Sequence, residues 1–180
     1  MVRSIPEYPW FGSIHGDDIA QGDIFEKFPV FMPPTDLAFD EASETTPEFQ
    51  WEKQDLIVML QRCDLQKDRE KVDDIILCAV WKRSQLDKTN DWMEEIRKGC
   101  NASFHVLAGS QLPGLESEPR VVDFRRVYAL PVKFVRKRAE EASTRLRLLP
   151  PYREHLSQSF ARFFMRVGLP TDIPSFKEKK

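Results

Sequence analysis

Five apolar residues in a row, Leu56 to Leu60, run directly into Gln61, Arg62, Cys63 and Asp64. A hydrogen-bond donor, a cation, a thiol and a carboxylate therefore stand where a buried segment leaves the core. A thiol becomes a useful nucleophile near neutral pH only beside a base or a cation. Asp64 is adjacent, and His155 and His105 are the imidazoles that could serve, so Cys63, Asp64 and His155 form a candidate catalytic group. Alternatively, the thiol packs at a strand end and Asp64 caps the next turn. Cys63, Asp64, His105 and His155 are acceptable metal ligands by type, but their spacing matches no zinc pattern, so neither a metal nor another cofactor is expected.

A second group is cationic. His155, Ser159, Arg162 and Arg166 fall at i, i+4, i+7 and i+11 and share one helical flank, and Arg125 and Arg126 lie on a strand-like segment before it. Metal-free RNA cleavage needs a base near the 2′-hydroxyl and cations around the phosphate. Arg125, Arg126, Arg162 and Arg166 are thus candidate nucleic-acid-binding residues. The competing possibility is a solvated basic face whose arginine stems cover aromatic rings. Most of the aromatic residues sit at core spacing, so a stacking platform for bases is not indicated.

Charge is unevenly distributed. Residues 1–52 hold eleven acids against Arg3 and Lys27, whereas residues 120–166 hold twelve bases against four acids, although the whole chain carries only −2. A basic half suits a phosphate-bearing partner. Equally, the two halves can neutralise each other inside the fold. RNA is the expected partner on the first account, and a protein touching the acidic loop or the basic face on the second. Whether the chain is an enzyme stays open.

These residues need a scaffold. With 180 residues, 41% hydrophobic content and 13 Phe, the chain suffices for one domain without staples. Three cysteines without a C-x-x-C pair fit a reducing compartment. No apolar run reaches the ~18 residues that span a bilayer, and no signal peptide is evident, so a cytoplasmic location without membrane contact is expected.

Residues 1–21 read as an irregular arm, and Ile24 to Phe31 as an edge or bulged strand because of Pro29. Residues 33–50 read as an acidic mobile loop. Leu56 to Leu60 forms a strand buried on both faces, and Ile75 to Trp81 a second, with Cys78 as core. Ser84 to Lys98 predicts a helix stopped by Gly99. Arg120 to Val135 predicts two strand pieces broken by Pro131 and followed by a basic turn, Arg136 to Arg138. A final helix opens at Pro150-Pro151, with Tyr152, Leu156, Phe160, Phe163, Phe164 and Val167 as its apolar stripe. Residues 171–180 form a frayed tail. The expected fold class is α+β, a compact, strongly bent antiparallel sheet or SH3-like partial barrel with a C-terminal amphipathic helix.

Gly22-Asp23-Ile24 followed by a long loop, the buried strand Leu56 to Leu60, the late Val121-Val122-Asp123 strand, and Arg145-Leu146 before a closing helix together resemble the MazF/PemK/Kid-type toxin fold. The likeness covers roughly residues 22–65 and 121–167. It implies an SH3-like barrel, a homodimer and cleavage of single-stranded RNA. The family's Arg-Pro pair before the central strand is absent, Lys53-Gln54-Asp55 standing there, so no catalytic arginine is implied. The chain is also similar to uncharacterised bacterial proteins that combine a Q-x-C-D-L motif, here Gln61 to Leu65, with R-E-H-L-x-Q-x-F, here Arg153 to Phe160. That resemblance implies a family and not a reaction.

Overall fold

The computed structural model describes residues 8–33 and 49–165. Its centre is an antiparallel five-stranded sheet in the order β2-β3-β4-β6-β5, formed by β2 (Ile24–Met32), β3 (Gln50–Val58), β4 (Asp74–Lys82), β5 (Phe104–Leu107) and β6 (Arg120–Pro131). A separate pair joins β1 (Phe11–Ile14) to β7 (Arg145–Leu148). Three helices complete the fold: α1 (Asn90–Arg97), α2 (Val132–Glu141) and α3 (Tyr152–Phe164). The chain is thus α+β, with an antiparallel sheet and a C-terminal helix. Among the described residues, no helix is long and apolar enough to cross a membrane.

Alternation along the strands divides the core in two. Ile57, Cys78, Val80 and Val122 point to one face, where Phe124 and Leu156 of α3 join them. Leu56, Val58, Ile75 and Leu77 point to the other, against Val132, Val135 and Ala139 of α2. A helix on each face explains why Leu56, Ile57 and Val58 are all fully buried, as their unbroken apolar run predicts.

Two irregularities bend the sheet. In β2 the register shifts between Phe25 and Phe28, and the N–H of Lys27, whose φ is 51°, donates to Asp55 Oδ1 at 2.8 Å. In β6, Val127 faces Cys78 while Asp123 faces Ala79, so Phe124, Arg125 and Arg126 form a bulge. Phe124 turns inward and is fully buried. The curvature lets Arg120 on β6 reach Glu26 on β2 and come within 3.7 Å of Asp55 on β3.

The structure corrects several expectations. Phe11–Ile14 is a regular strand within the supposed irregular arm, because Gly12 and Ser13 find ladder partners in Arg147 and Leu146. Gln50, expected in the loop, opens β3. Residues 132–141 are a helix instead of a strand and a basic turn. Val132, Val135 and Ala139, at i, i+3 and i+7, all bury, so helical periodicity prevails over the strand preference of valine. The first helix is shorter than expected, Thr89 Oγ1 accepting from Trp92 N at its start and Gly99, with φ 76°, following its end. Residues 1–7, most of the acidic loop (34–48) and the tail lie outside the described residues.

Candidate functional site

Where β3 ends, the backbone turns through a single 3-10 turn, Arg62–Asp64. Cys63 is exposed there, its Sγ 3.7 Å from both Gln61 Oε1 and Asp64 Oδ1. Asp64 in turn sits 3.5 Å from Lys71 Nζ. α3 is anchored beside this turn through Leu156, which is fully buried, and through Phe160, whose ring lies 5.4 Å from that of Phe124.

Between the turn and α3 lies an open cleft of about 590 Å³, lined by Gln21, Gln61, Cys63, Arg153, Glu154, Ser157 and Gln158. Both short motifs thus converge on one site although some 90 residues separate them: Gln61 and Cys63 form one wall, and Arg153, Glu154 and Gln158 the other. Gln21 forms the base. It is 7% exposed, and its Nε2 donates to Met59 O at 2.7 Å and reaches Ser157 Oγ at 3.4 Å, fastening the N-terminal segment to the end of β3 and to α3.

Charge inside the cleft cancels locally. Arg153 Nε donates to Glu154 Oε1 at 3.1 Å. Burial acts to raise the Glu154 pKa, but the hydrogen bonds and charge of Arg153 outweigh it and hold the carboxyl below its ordinary value. What remains is a polar, nearly neutral surface rich in side-chain amides.

Of the candidate catalytic group, Cys63 alone lines the cleft. Asp64 lies beside it, and His155 is not among its lining residues. The His155 ring lies 6.2 Å from that of Tyr152, and near enough to His105 to perturb it. His105 is itself pushed down to about 4, chiefly by burial and then by the charge of His155. Among the described residues no three His, Cys, Asp or Glu side chains are grouped to hold a metal.

The β6 bulge aims Arg125 and Arg126 outward, but both have partners. Arg125 grips Asp123 at 2.9 and 2.8 Å and lies over the Phe104 ring at 4.4 Å, and Arg126 lies 5.3 Å from the Trp81 ring. Arg162 is exposed on α3, and Arg166 lies outside the described residues. Much of the remaining basic half is consumed internally. Arg120 meets Glu26, Arg136 meets Glu70 at 2.8 Å, Arg145 meets Asp23 at 3.2 Å, and Arg147 meets Asp23 and Asp18. Three arginines of the basic half, Arg120, Arg145 and Arg147, are thus locked onto acids of the N-terminal half.

Reading the sequence alone missed Gln21, Arg153, Glu154, Ser157 and Gln158. Four of these lie within the R-E-H-L-x-Q-x-F motif, so the signal is present in the sequence, but the histidine flank of the helix carries the more reactive residue types. Compared with family models, curated proteins and solved structures, the chain finds no match. The fold and site define a class no finer than an α+β domain with one polar cleft between its two motifs.

Proposed function

We propose that the protein is a non-catalytic interaction module that holds an extended segment of a partner protein in the cleft between the Gln61–Leu65 turn and α3. The observation that carries this is the neutral, amide-lined character of the cleft. Gln61 and Gln158 each bring a donor and an acceptor, which is the complement of peptide N–H and C=O groups, and Gln21, its own N–H groups spent on Met59 O and Ser157 Oγ, holds the base of the cleft in place. A nucleic-acid backbone would instead call for unneutralised cations, and Arg153 is answered by Glu154. The sheet's bend, wide enough for Arg120 to reach across to β2, supports kinship with the SH3-like partial barrel of the MazF/PemK/Kid-type toxins without their cutting chemistry. Association with RNA is the competing function, favoured by Arg162, exposed on α3, and by Arg126, stacked on Trp81.

Selecting a random peptide library on the full chain separates the two. Enriched peptides should bind the wild type and lose affinity for a Gln61→Ala/Gln158→Ala double variant, while Cys63→Ser leaves binding intact. No peptide enrichment, together with capture of single-stranded RNA that weakens steeply between about 50 and 200 mM salt and with Arg162→Glu, would replace this function with the nucleic-acid one.

A further inference from the structure

A second groove, of about 780 Å³, lies between residues 8–11 and the connection from β5 to β6. That connection folds back on itself: Ser110 faces Ser117, and each N–H donates to the other's carbonyl at 2.9 Å. At the crossing a Cβ on Gly109 would lie 2.5 Å from Ser117 O, so glycine alone fits without displacement. The opposite wall is held by Tyr152 of α3. The Trp10 ring stacks on that of Tyr152 with centroids 3.6 Å apart, and the Tyr152 hydroxyl donates to Tyr8 O at 3.3 Å. Both walls are thus fixed in advance, which lowers the entropic cost of binding.

No charged side chain lines this groove, although 31% of the chain's residues are charged. An ionic ligand would lose hydration there without meeting a counter-charge. The apolar surface is accessible: Tyr8 is 54% exposed, Pro9 and Pro119 are exposed, and Trp10 and Leu112 are half-buried. Hydrogen-bonding capacity is lopsided. The carbonyls of Tyr8, Trp10, Ser110, Leu112, Ser117 and Pro119 already accept, from Tyr152 Oη, Leu149 N, Ser117 N, Leu115 N, Ser110 N and Arg83 N respectively. Among the described residues nothing accepts from the Trp10 indole N–H, the Tyr8 hydroxyl or the Gln111 amide. Most backbone acceptors of the lining are therefore occupied, while several side-chain donors are not.

We propose that this groove binds a proline-rich segment of a partner protein in the polyproline II conformation. Complementarity decides the occupant. Proline residues carry carbonyl acceptors and no N–H, so a run of them calls for donors and leaves no donor of its own unanswered. Their uncharged rings pack on the accessible faces of Tyr8, Trp10 and Pro119. A segment with ordinary peptide N–H groups would instead bury donors against carbonyls that are already engaged. The groove shares no lining residue with the motif cleft, so failure here leaves the reading of that cleft standing.

Titration of the full chain with acetylated, amidated octaproline, followed by NMR, tests this, with a Gly/Ser peptide of equal length and the neutral sugar maltotriose as comparisons. Saturable shifts centred on the Trp10 indole N–H, Tyr8 and Gln111 are expected from octaproline alone. Tyr8→Ala and Gln111→Ala, both at exposed positions, should each weaken octaproline binding about fivefold. The Gln61→Ala/Gln158→Ala variant should bind octaproline as the wild type does. Absence of saturable binding, shifts centred elsewhere, or equal binding of the Gly/Ser peptide would each overturn the assignment. Saturable binding of maltotriose at Trp10 with none of octaproline would replace the peptide by a sugar.

Discussion

Replacing Asp23 by asparagine should cost the protein about 3 kcal/mol, because this one carboxylate joins the two sheets electrostatically. Asp23 is fully buried and accepts from Ala20 N at 3.2 Å, Arg145 Nε at 3.2 Å, Arg147 Nη2 at 2.9 Å and Arg147 Nε. Asparagine keeps the shape and removes the charge, leaving two largely buried guanidinium groups facing a neutral amide. Removing one partner of a buried pair typically costs about 3–5 kcal/mol. The lower end applies, since Arg145 retains Gly16 O and Asp18 O, and Arg147 retains Asp18. For a chain of this size that loss corresponds to a melting temperature lowered by roughly 6–12 °C. Urea unfolding followed by circular dichroism should show the midpoint falling at unchanged slope. An Asp23→Asn/Arg147→Met double variant should recover part of the loss. A loss under about 1 kcal/mol would refute the premise that this network joins the sheets.

Further outcomes follow from single groups. His105 is held down to about 4 against an ordinary 6.5, so between those values the unfolded chain binds a proton that the folded chain does not. Stability should be full above pH ~6.5 and fall, by up to roughly 3 kcal/mol, as the pH drops toward 4. Urea midpoints measured across that range should lose most of their slope in His105→Gln. Burial pushes the Cys78 thiol up to about 12, while Cys63 and Cys100 are exposed. A thiol reagent should therefore label Cys63 and Cys100 in the native protein and reach Cys78 only in denaturant, and native labelling of Cys78 would contradict the packing of β4. Gly22 has φ +88°, and a Cβ there would lie 2.8 Å from Leu148 Cβ. Gly22→Ala should thus cost roughly 1–3 kcal/mol in the same urea assay, and a neutral result would mean that β2 and β7 do not approach as closely as described.

Local pattern carried much of the fold. The run Leu56 to Leu60 announced a strand buried on both sides, because only an element covered on both faces can hide every successive side chain, although β3 ends at Val58, and Met59 and Leu60 already leave it. Pro150-Pro151 and the aromatic spacing after it announced α3. The helix over Val132 to Glu141 was legible in the positions of Val132, Val135 and Ala139. It was hidden by the strand preference of valine and by the neighbouring Pro131, which ends a strand and precedes a helix equally well. β1 could not be read, since its four residues are fixed by a partner more than 130 positions away.

The sequence by itself determined which side chains were available: a thiol and amides at the exit of a buried strand, a Q-x-C-D-L turn, an R-E-H-L helix, and an acidic half followed by a basic one. Only the tertiary structure decided what those residues do. It turned part of the charge asymmetry inward, pairing Arg120, Arg145 and Arg147 with Glu26, Asp23 and Asp18. It also set α3 so that Arg153, Ser157 and Gln158 line one cleft with Cys63, and His155 is not among that cleft's lining residues. The physical reason is that a motif fixes spacing along one element. Which flank of a helix meets which turn is set by where its apolar stripe docks, here against Phe124, which faces inward beside Val122.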